Sequence, residues 1–219
     1  MRFNRHLPEL FADFENVYQW FSLLSDIAVN DPSDTIHIVV DMINGFVKKG
    51  ALASKEVCSI NDDIASLISK CKHNHIKTLA LADMHSENST EFETYPVHCL
   101  KGTEESELTD EIKNADNHII VFGKNSTNGY LEPDFCKELL HSGKHTFILT
   151  GDCTDMCVMQ LALTIKADFN RRNISSRVIV PYELTATCSL PDHAPELAEM
   201  MALYMMKTNG IEIVKNIIL

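Results

Sequence analysis

Six short apolar runs, each separated from the next by residues that leave room for a helix, constrain this chain more than any other feature. They are TIHIVV (35–40), IKTLALA (76–82), HIIVFG (118–123), HTFILTG (145–151), SSRVIV (175–180) and IEIVKNI (211–217). Runs of this length rich in Val and Ile read as strands, and strands that alternate with helices build a parallel sheet covered on both faces. Between them, Val57, Ile60, Ile64, Leu67 and Cys71 follow helical spacing, as do Val158, Leu161, Ala162, Ile165 and Phe169. The Met-rich segment 193–207 is helical by composition and serves as core filler or as a contact between subunits. Before the first run, Leu7, Leu10, Phe11, Phe14, Val17, Tyr18 and Phe21 form an apolar helical stripe that stops at the turn signal Asn30, Asp31, Pro32, Ser33. The expectation is an α/β fold of Rossmann-like form: a six-stranded, mostly parallel sheet with helices on both faces. It is expected as one domain, with an N-terminal helical extension over 1–34 and a core over 35–219.

Composition narrows what such a fold can do. With 219 residues, 45% of them hydrophobic, the chain can bury a sizeable core. A formal charge of -12 and no run of Lys and Arg argue against a nucleic-acid surface. No stretch approaches a membrane span, and Glu9, Asp13 and Glu15 interrupt what would be the apolar centre of a signal peptide, so a cytoplasmic location is expected. Seven cysteines without framework spacing then read as reduced thiols, with Cys58, Cys71 and Cys136 as small hydrophobes inside helices.

Ligands of open parallel sheets bind outside the carboxyl ends of the strands, and four chemically capable residues fall there. The first run ends at Asp41, the second at Asp83, the third at Lys124, and the fourth leads into GDCTDMCV with Cys157 about one turn into a helix. A helix N-terminus favours a thiolate, but by only about 0.3 to 1 kcal/mol, against ~1.36 kcal/mol per pKa unit. A neighbouring Asp works against the thiolate unless a cation lies close to both, a task suited to Lys124. The scheme that follows has Asp41 take the thiol proton, Lys124 hold the pair together, and Cys157 attack a carbonyl carbon. Backbone N–H groups of Cys157 and of the turn before it would receive the oxyanion.

A second constellation lies in the stretch 83–105, which joins a strand to a helix with little periodicity. Loops of that length in compact domains are functional or disordered. Asp83 and His85 alternate onto one side of an extended strand end, and the loop returns with Glu91 and His98. A mixed nitrogen and oxygen set suits one divalent ion, zinc first, with iron and manganese as alternatives. The bland alternative is a polar loop with incidental histidines. The other histidines considered, among them His118 and His193, read as surface or structural residues.

These motifs, IVVDMINGF, LADMH with YPVHCLKGTEESEL, VFGKNSTNGY and LTGDCTDMCV, resemble those of the isochorismatase-like cysteine hydrolases and, within them, the nicotinamidase branch. The resemblance covers residues 35 to about 190. It implies that Asp41, Lys124 and Cys157 form the catalytic triad and that the metal is held by Asp83, His85, Glu91 and His98. It also implies a cis peptide between Asp152 and Cys153, with the Cys153 N–H beside that of Cys157 in the oxyanion hole. Phe46 and Tyr95 fall where the branch flanks its substrate ring. The activity implied is hydrolysis of nicotinamide to nicotinate and ammonia through a thioester, with no organic cofactor; a homo-oligomer is also expected, with the Met-rich segment or the N-terminal helix as its contact. Two departures stand out: Gly45 where an acid often precedes the Phe, and Met84 where an aromatic often separates the Asp and the His. Three other readings remain: a relative acting on another small aromatic or heterocyclic amide, a silent oligomeric relative, and a receiver-like regulatory module. The receiver reading suffers from Val40 before Asp41 and from Lys124, rather than an acid, at the third strand end.

Overall fold

The computed structural model describes residues 7–189 and 193–219. Among them lies a seven-stranded, wholly parallel sheet formed by β2 (Thr35–Val40), β3 (Lys77–Asp83), β4 (Ile120–Lys124), β5 (Thr146–Asp152), β6 (Arg177–Pro181), β7 (Thr185–Ala186) and β8 (Glu212–Val214). Its order is β4-β3-β2-β5-β6-β8, with β7 pairing the end of β5. All six residues of β2 are buried, as the continuous apolar run requires of a strand covered on both faces. Ile36, Ile38 and Val40 face α6 (Pro133–His141), α7 (Met159–Arg171) and α8 (Pro195–Thr208), while Val39 faces α4 (Asn61–His73) and α5 (Asp110–Ala115). Two apolar layers result, one on each side of the sheet.

The six expected runs all contain strands, and the last one divides. Glu212–Val214 continues the main sheet, whereas Ile217–Ile218 leaves it as β9 and pairs in parallel with Ile27–Ala28, β1. The N-terminal extension is therefore not helical throughout. After α1 (Leu7–Phe21) it supplies a strand, a pairing too short and too distant in sequence to show as periodicity. The side chains of Leu7 and Leu10 lie outside the description. α1 packs on α8, where Lys207 Nζ sits 3.9 Å above the Trp20 ring. Phe11 and Tyr18 of the stripe, together with Met201 and Met205 of α8, remain exposed. Of the three cysteines expected inside helices, Cys71 is buried, Cys136 half-buried and Cys58 exposed, because the short α3 (Lys55–Ser59) buries only Val57. Among the described residues, no helix is long and apolar enough to cross a membrane.

The sheet positions the site through register. Asp83 and Lys124 are direct partners on adjacent parallel strands. The chain leaves β2 at Asp41, which adopts a left-handed conformation (φ 56°) that Asp tolerates better than most residues, while its N–H still bonds Leu81 on β3. Next to it, Gly151 (φ 117°) lies so close to β2 that a Cβ would sit 1.9 Å from the Val40 carbonyl oxygen. Only glycine lets β5 approach there.

Candidate active site

Three strand ends and one turn converge on a single pocket lined by Asp41, Phe46, Asp83, Glu91, Tyr95, His98, Asp152, Cys153 and Cys157, with Leu52, Thr127, Met156 and Cys188 completing the wall. Lys124 lies beneath it, fully buried. Its Nζ is 2.8 Å from Asp41 Oδ2 and donates to Asp83 Oδ1 at 2.6 Å and to Cys157 Sγ at 3.5 Å. The contact with Asp41 Oδ2 is a close ion pair, and a carboxylate oxygen, with its second lone pair, keeps the capacity to accept a proton. Asp41 Oδ1 is committed to the Asp83 backbone N–H at 2.9 Å.

Electrostatics divides the labour. Burial pushes the Asp41 carboxyl up to about 7 despite Lys124. Burial acts the same way on Asp83, but Lys124, with the nearby His85 and His98 rings, outweighs it and holds Asp83 below the usual carboxylate range. Burial would discharge Lys124, yet the two carboxylates beside it keep it charged well beyond its ordinary range. Burial also pushes the Cys157 thiol well up; Lys124 opposes this, while Asp41 and Asp83 add to it. A helix end alone was expected to be too weak to hold a thiolate, and the scheme had Asp41 take the proton from a thiol. Cys157 accordingly rests as a thiol inside a π-helical turn (Thr154–Val158) ahead of α7, because desolvation and two carboxylates exceed what a helix terminus supplies. Turns of this kind within helices occur often at functional sites.

The peptide Asp152–Cys153 is cis. Asp152, which sequence reasoning passed over, is buried with Oδ1 unpartnered, and burial with nearby Asp41 raises its carboxyl well above the usual range. Its position at the carboxyl end of β5 was the signal that could have found it.

The loop wall is assembled differently. The stretch after β3 contains short 3-10 turns at Thr90–Glu93 and Glu104–Ser106, and His85 pairs with the returning chain through its N–H to Cys99 O (3.0 Å) and its carbonyl to Lys101 N (2.9 Å). This bridge brings Asp83, His85 and His98 together, with one ligand atom from each lying within 4.8 Å of the others. His98 Nδ1 donates to the Pro96 carbonyl at 2.8 Å, so a neutral ring presents the lone pair of Nε2 towards Asp83 Oδ2 at 3.8 Å. His85 Nε2 is buried without a hydrogen-bond partner, 3.4 Å from Asp83 Oδ1. An orphaned imidazole nitrogen facing a carboxylate and a second imidazole fits a divalent ion of the zinc, iron or manganese type. Glu91 falls outside that set of three: its Oε2 stands 3.8 Å from His85 Nε2, and its Oε1 accepts from Thr127 N at 2.8 Å.

Phe46 and Tyr95 both line the pocket, their ring centres 5.7 and 6.3 Å from that of His98. The departures have local causes. A Cβ on Gly45 would lie 2.4 Å from Cys99 Sγ, and Glu105 accepts from the Cys99 N–H, so no acid fits at position 45 and a carboxylate arrives there from elsewhere. Met84 lies over Gly123 on β4 and does not line the pocket, so it does not shape the binding space directly.

Residues 35–210 match the isochorismatase domain family, and the chain belongs to it. It is a nicotinamidase-like amidohydrolase of that family. Nicotinamidase 1 of Arabidopsis thaliana is 27% identical, the alignment covering 87% of this chain and 89% of that protein. A pyrazinamidase of Pyrococcus horikoshii, solved in complex with zinc, is 25% identical and superposes with a TM-score of 0.70 over 83% of this chain and 99% of its own. The yeast nicotinamidase shares the fold, with a TM-score of 0.72 at 19% identity over 83% of this chain and 99% of its own.

Proposed function

We propose that this enzyme hydrolyses nicotinamide to nicotinate and ammonia, with Cys157 as nucleophile, Asp41 as general base and then acid, and Lys124 as the cation that keeps both in reach. The observation that carries the reading is the meeting, in one pocket, of a buried Asp–Lys–thiol cluster with a three-residue metal-type donor set flanked by two aromatic rings. Asp83, His85 and His98 would hold a divalent ion, with Glu91 as the candidate fourth partner. When bound, it supplies a Lewis-acid anchor for a heteroaromatic nitrogen.

The chain's own residues account for the bond changes. Asp41, raised to about 7, has an affinity for protons close to that needed to take one at neutral pH. It accepts the Cys157 proton as sulfur attacks the carboxamide carbon. The N–H groups of Cys153 and Cys157 are the proposed donors to the oxyanion, and losing one such donor costs about 2.7 to 4 kcal/mol. Ammonia leaves with the proton that Asp41 returns, and Asp41 then activates water to release the acid from the thioester. Phe46 and Tyr95 flank the ring. The free volume of the pocket is about 30 Å³, room for one or two waters, so a ring would need the wall to give way, and Met156, an unbranched and adaptable side chain, is the proposed residue to move. The enzyme is proposed to act as a homo-oligomer in the cytoplasm.

Ammonia release from nicotinamide is the test. Cys157→Ala should reduce turnover by about 10⁴-fold or more, and chelation followed by zinc addition should remove and restore it. If nicotinamide is inert while another small aromatic or heterocyclic amide is hydrolysed, the substrate assignment fails and the nucleophile assignment stands.

A further inference from the structure

The wall of the pocket beside Cys157 holds two more thiols, and they touch. The Cys153 S–H donates to Cys188 Sγ at 3.3 Å, the one thiol-to-thiol contact found among the described residues. Cys153 opens the turn that carries Cys157, and Cys188 lies two residues beyond β7, on a segment separated from that turn by more than thirty residues of sequence. The two segments are tied together independently of the sulfurs. Asp155 of the turn accepts from Thr187 Oγ1 at 3.1 Å and pairs with His193 Nε2 at 2.8 Å, while His193 Nδ1 faces the Cys188 carbonyl at 3.1 Å. His193, expected to be an isolated surface or structural residue, thus belongs to a Cys–Cys–His–Asp cluster at the pocket edge.

We propose that Cys153 and Cys188 are a modification site, a dithiol that small peroxides oxidise to a disulfide and thiols reduce, and that the bond disables the neighbouring active site. Both sulfurs line the cleft, so an oxidant the size of water reaches them by the route open to solvent. Neither lies among the metal-type ligands. The hydrogen bond from Cys153 holds the Cys188 thiol below its ordinary range against its burial, and nearby His193 adds to this. The same hydrogen bond, and then burial, push Cys153 up. Cys188 is therefore the attacking sulfur and Cys153 the resolving one.

The chemistry balances. Cys188, having released its proton to solvent, attacks one peroxide oxygen. The O–O bond breaks, sulfur is oxidised to the sulfenic acid, and the other oxygen leaves as hydroxide, which the released proton converts to water. Cys153 sulfur then attacks Cys188 sulfur. The S–S bond forms, the S–O bond breaks, and the departing hydroxide takes the Cys153 proton as a second water. Two thiols and one peroxide become one disulfide and two waters. The sulfurs must close from 3.3 Å to about 2.05 Å. That movement draws the segment after β7 against the residue whose N–H is the proposed oxyanion donor, and displacements of about 1 Å at such a site can cost 10²-fold in rate.

One equivalent of hydrogen peroxide, followed by alkylation and peptide mass mapping without reductant, tests this on the intact enzyme. The expected product is a Cys153–Cys188 cross-linked peptide lighter by two hydrogens, formed equally in the Cys157→Ala variant, removed by dithiothreitol and absent from Cys188→Ser. Circular dichroism would confirm that each variant is folded before it is scored. Cross-linked enzyme in which Cys157 still alkylates should turn over its amide about tenfold more slowly or worse, with recovery on reduction. Oxidation that falls on Cys157 while Cys153 and Cys188 stay free overturns the proposal, as does cross-linked enzyme with unchanged turnover. The cross-link is read without substrate, so it stands or falls apart from the identity of the amide.

Discussion

On one side of the pocket, Asp41, Asp83 and Lys124 are held at the ends of adjacent strands. On the other, His85, Glu91, Tyr95 and His98 hang from a loop that crosses more than twenty residues between β3 and α5. The strand wall owes its geometry to the sheet: the partnership of Asp83 with Lys124 is one rung of the β3–β4 ladder, and Asp41 is tied to the same strand through the Asp83 N–H. The loop wall depends on a few hydrogen bonds, chiefly the His85 bridge to the returning chain and the Pro96 carbonyl that orients His98. Asp83 belongs to both, giving Oδ1 to Lys124 and turning Oδ2 towards His98. A buried charge cluster is safest where backbone register holds its members in place. A metal-type site needs ligands from distant parts of the chain, which a loop can gather.

The largest effect should come from breaking the strand wall at its only cation. Lys124→Met leaves Asp41 and Asp83 without their counter-charge, so unfolding free energy by denaturant titration should fall by about 3 to 5 kcal/mol, together with loss of activity. A variant of unchanged stability would show that the carboxylates, rather than the lysine, organise this wall. His98→Ala should affect the loop wall alone: metal retained after dialysis should drop at least about tenfold, with a stability cost well below that of Lys124→Met. If both variants lose stability equally, the two walls form one cooperative unit and the contrast between them fails.

The effect that is smallest near neutral pH, and grows only on acidification, concerns His37, in the middle of β2 beneath the strand wall. It is fully buried, with Nε2 2.9 Å from Thr150 Oγ1 and Nδ1 unpartnered, and burial lowers its pKa to about 3. The folded state therefore binds fewer protons there than the unfolded state, and the stability this residue contributes is full above pH 6.5. It is lost as pH falls from 6.5 towards 3, by at most ~1.4 kcal/mol per pH unit. The difference between wild-type and His37→Gln stability curves should show that slope; parallel curves would mean that His37 charges freely within the fold.

Much of this was readable from the residues. The continuous apolar runs could only be buried strands, and the rule that ligands gather at strand carboxyl ends selected Asp41, Asp83, Lys124 and the approach to Cys157. What the pattern missed were two-residue pairings: β1 with β9 joins opposite ends of the chain, and β7 is too short to show an alternation. The roles of Cys188 and His193 were missed for the same reason, since the β5–β7 pairing and the Asp155 contacts that bring their segment to the pocket leave no mark in the pattern. The weakness of the helix end at Cys157 was readable too, but the extent of burial that keeps the thiol protonated was not, because a helix end acts within one turn whereas burial and two carboxylates act through the assembled site.

Chemical identity and order along the chain were set by the sequence alone: where the long core strands run, and which acid, base, thiol and imidazole stand at or beyond their ends. Proximity and desolvation belonged to the tertiary structure. Lys124 is charged, Asp41 poised near neutrality and Cys153 in contact with Cys188 because segments far apart in the chain were brought together out of water, where a few ångströms decide which group holds the proton.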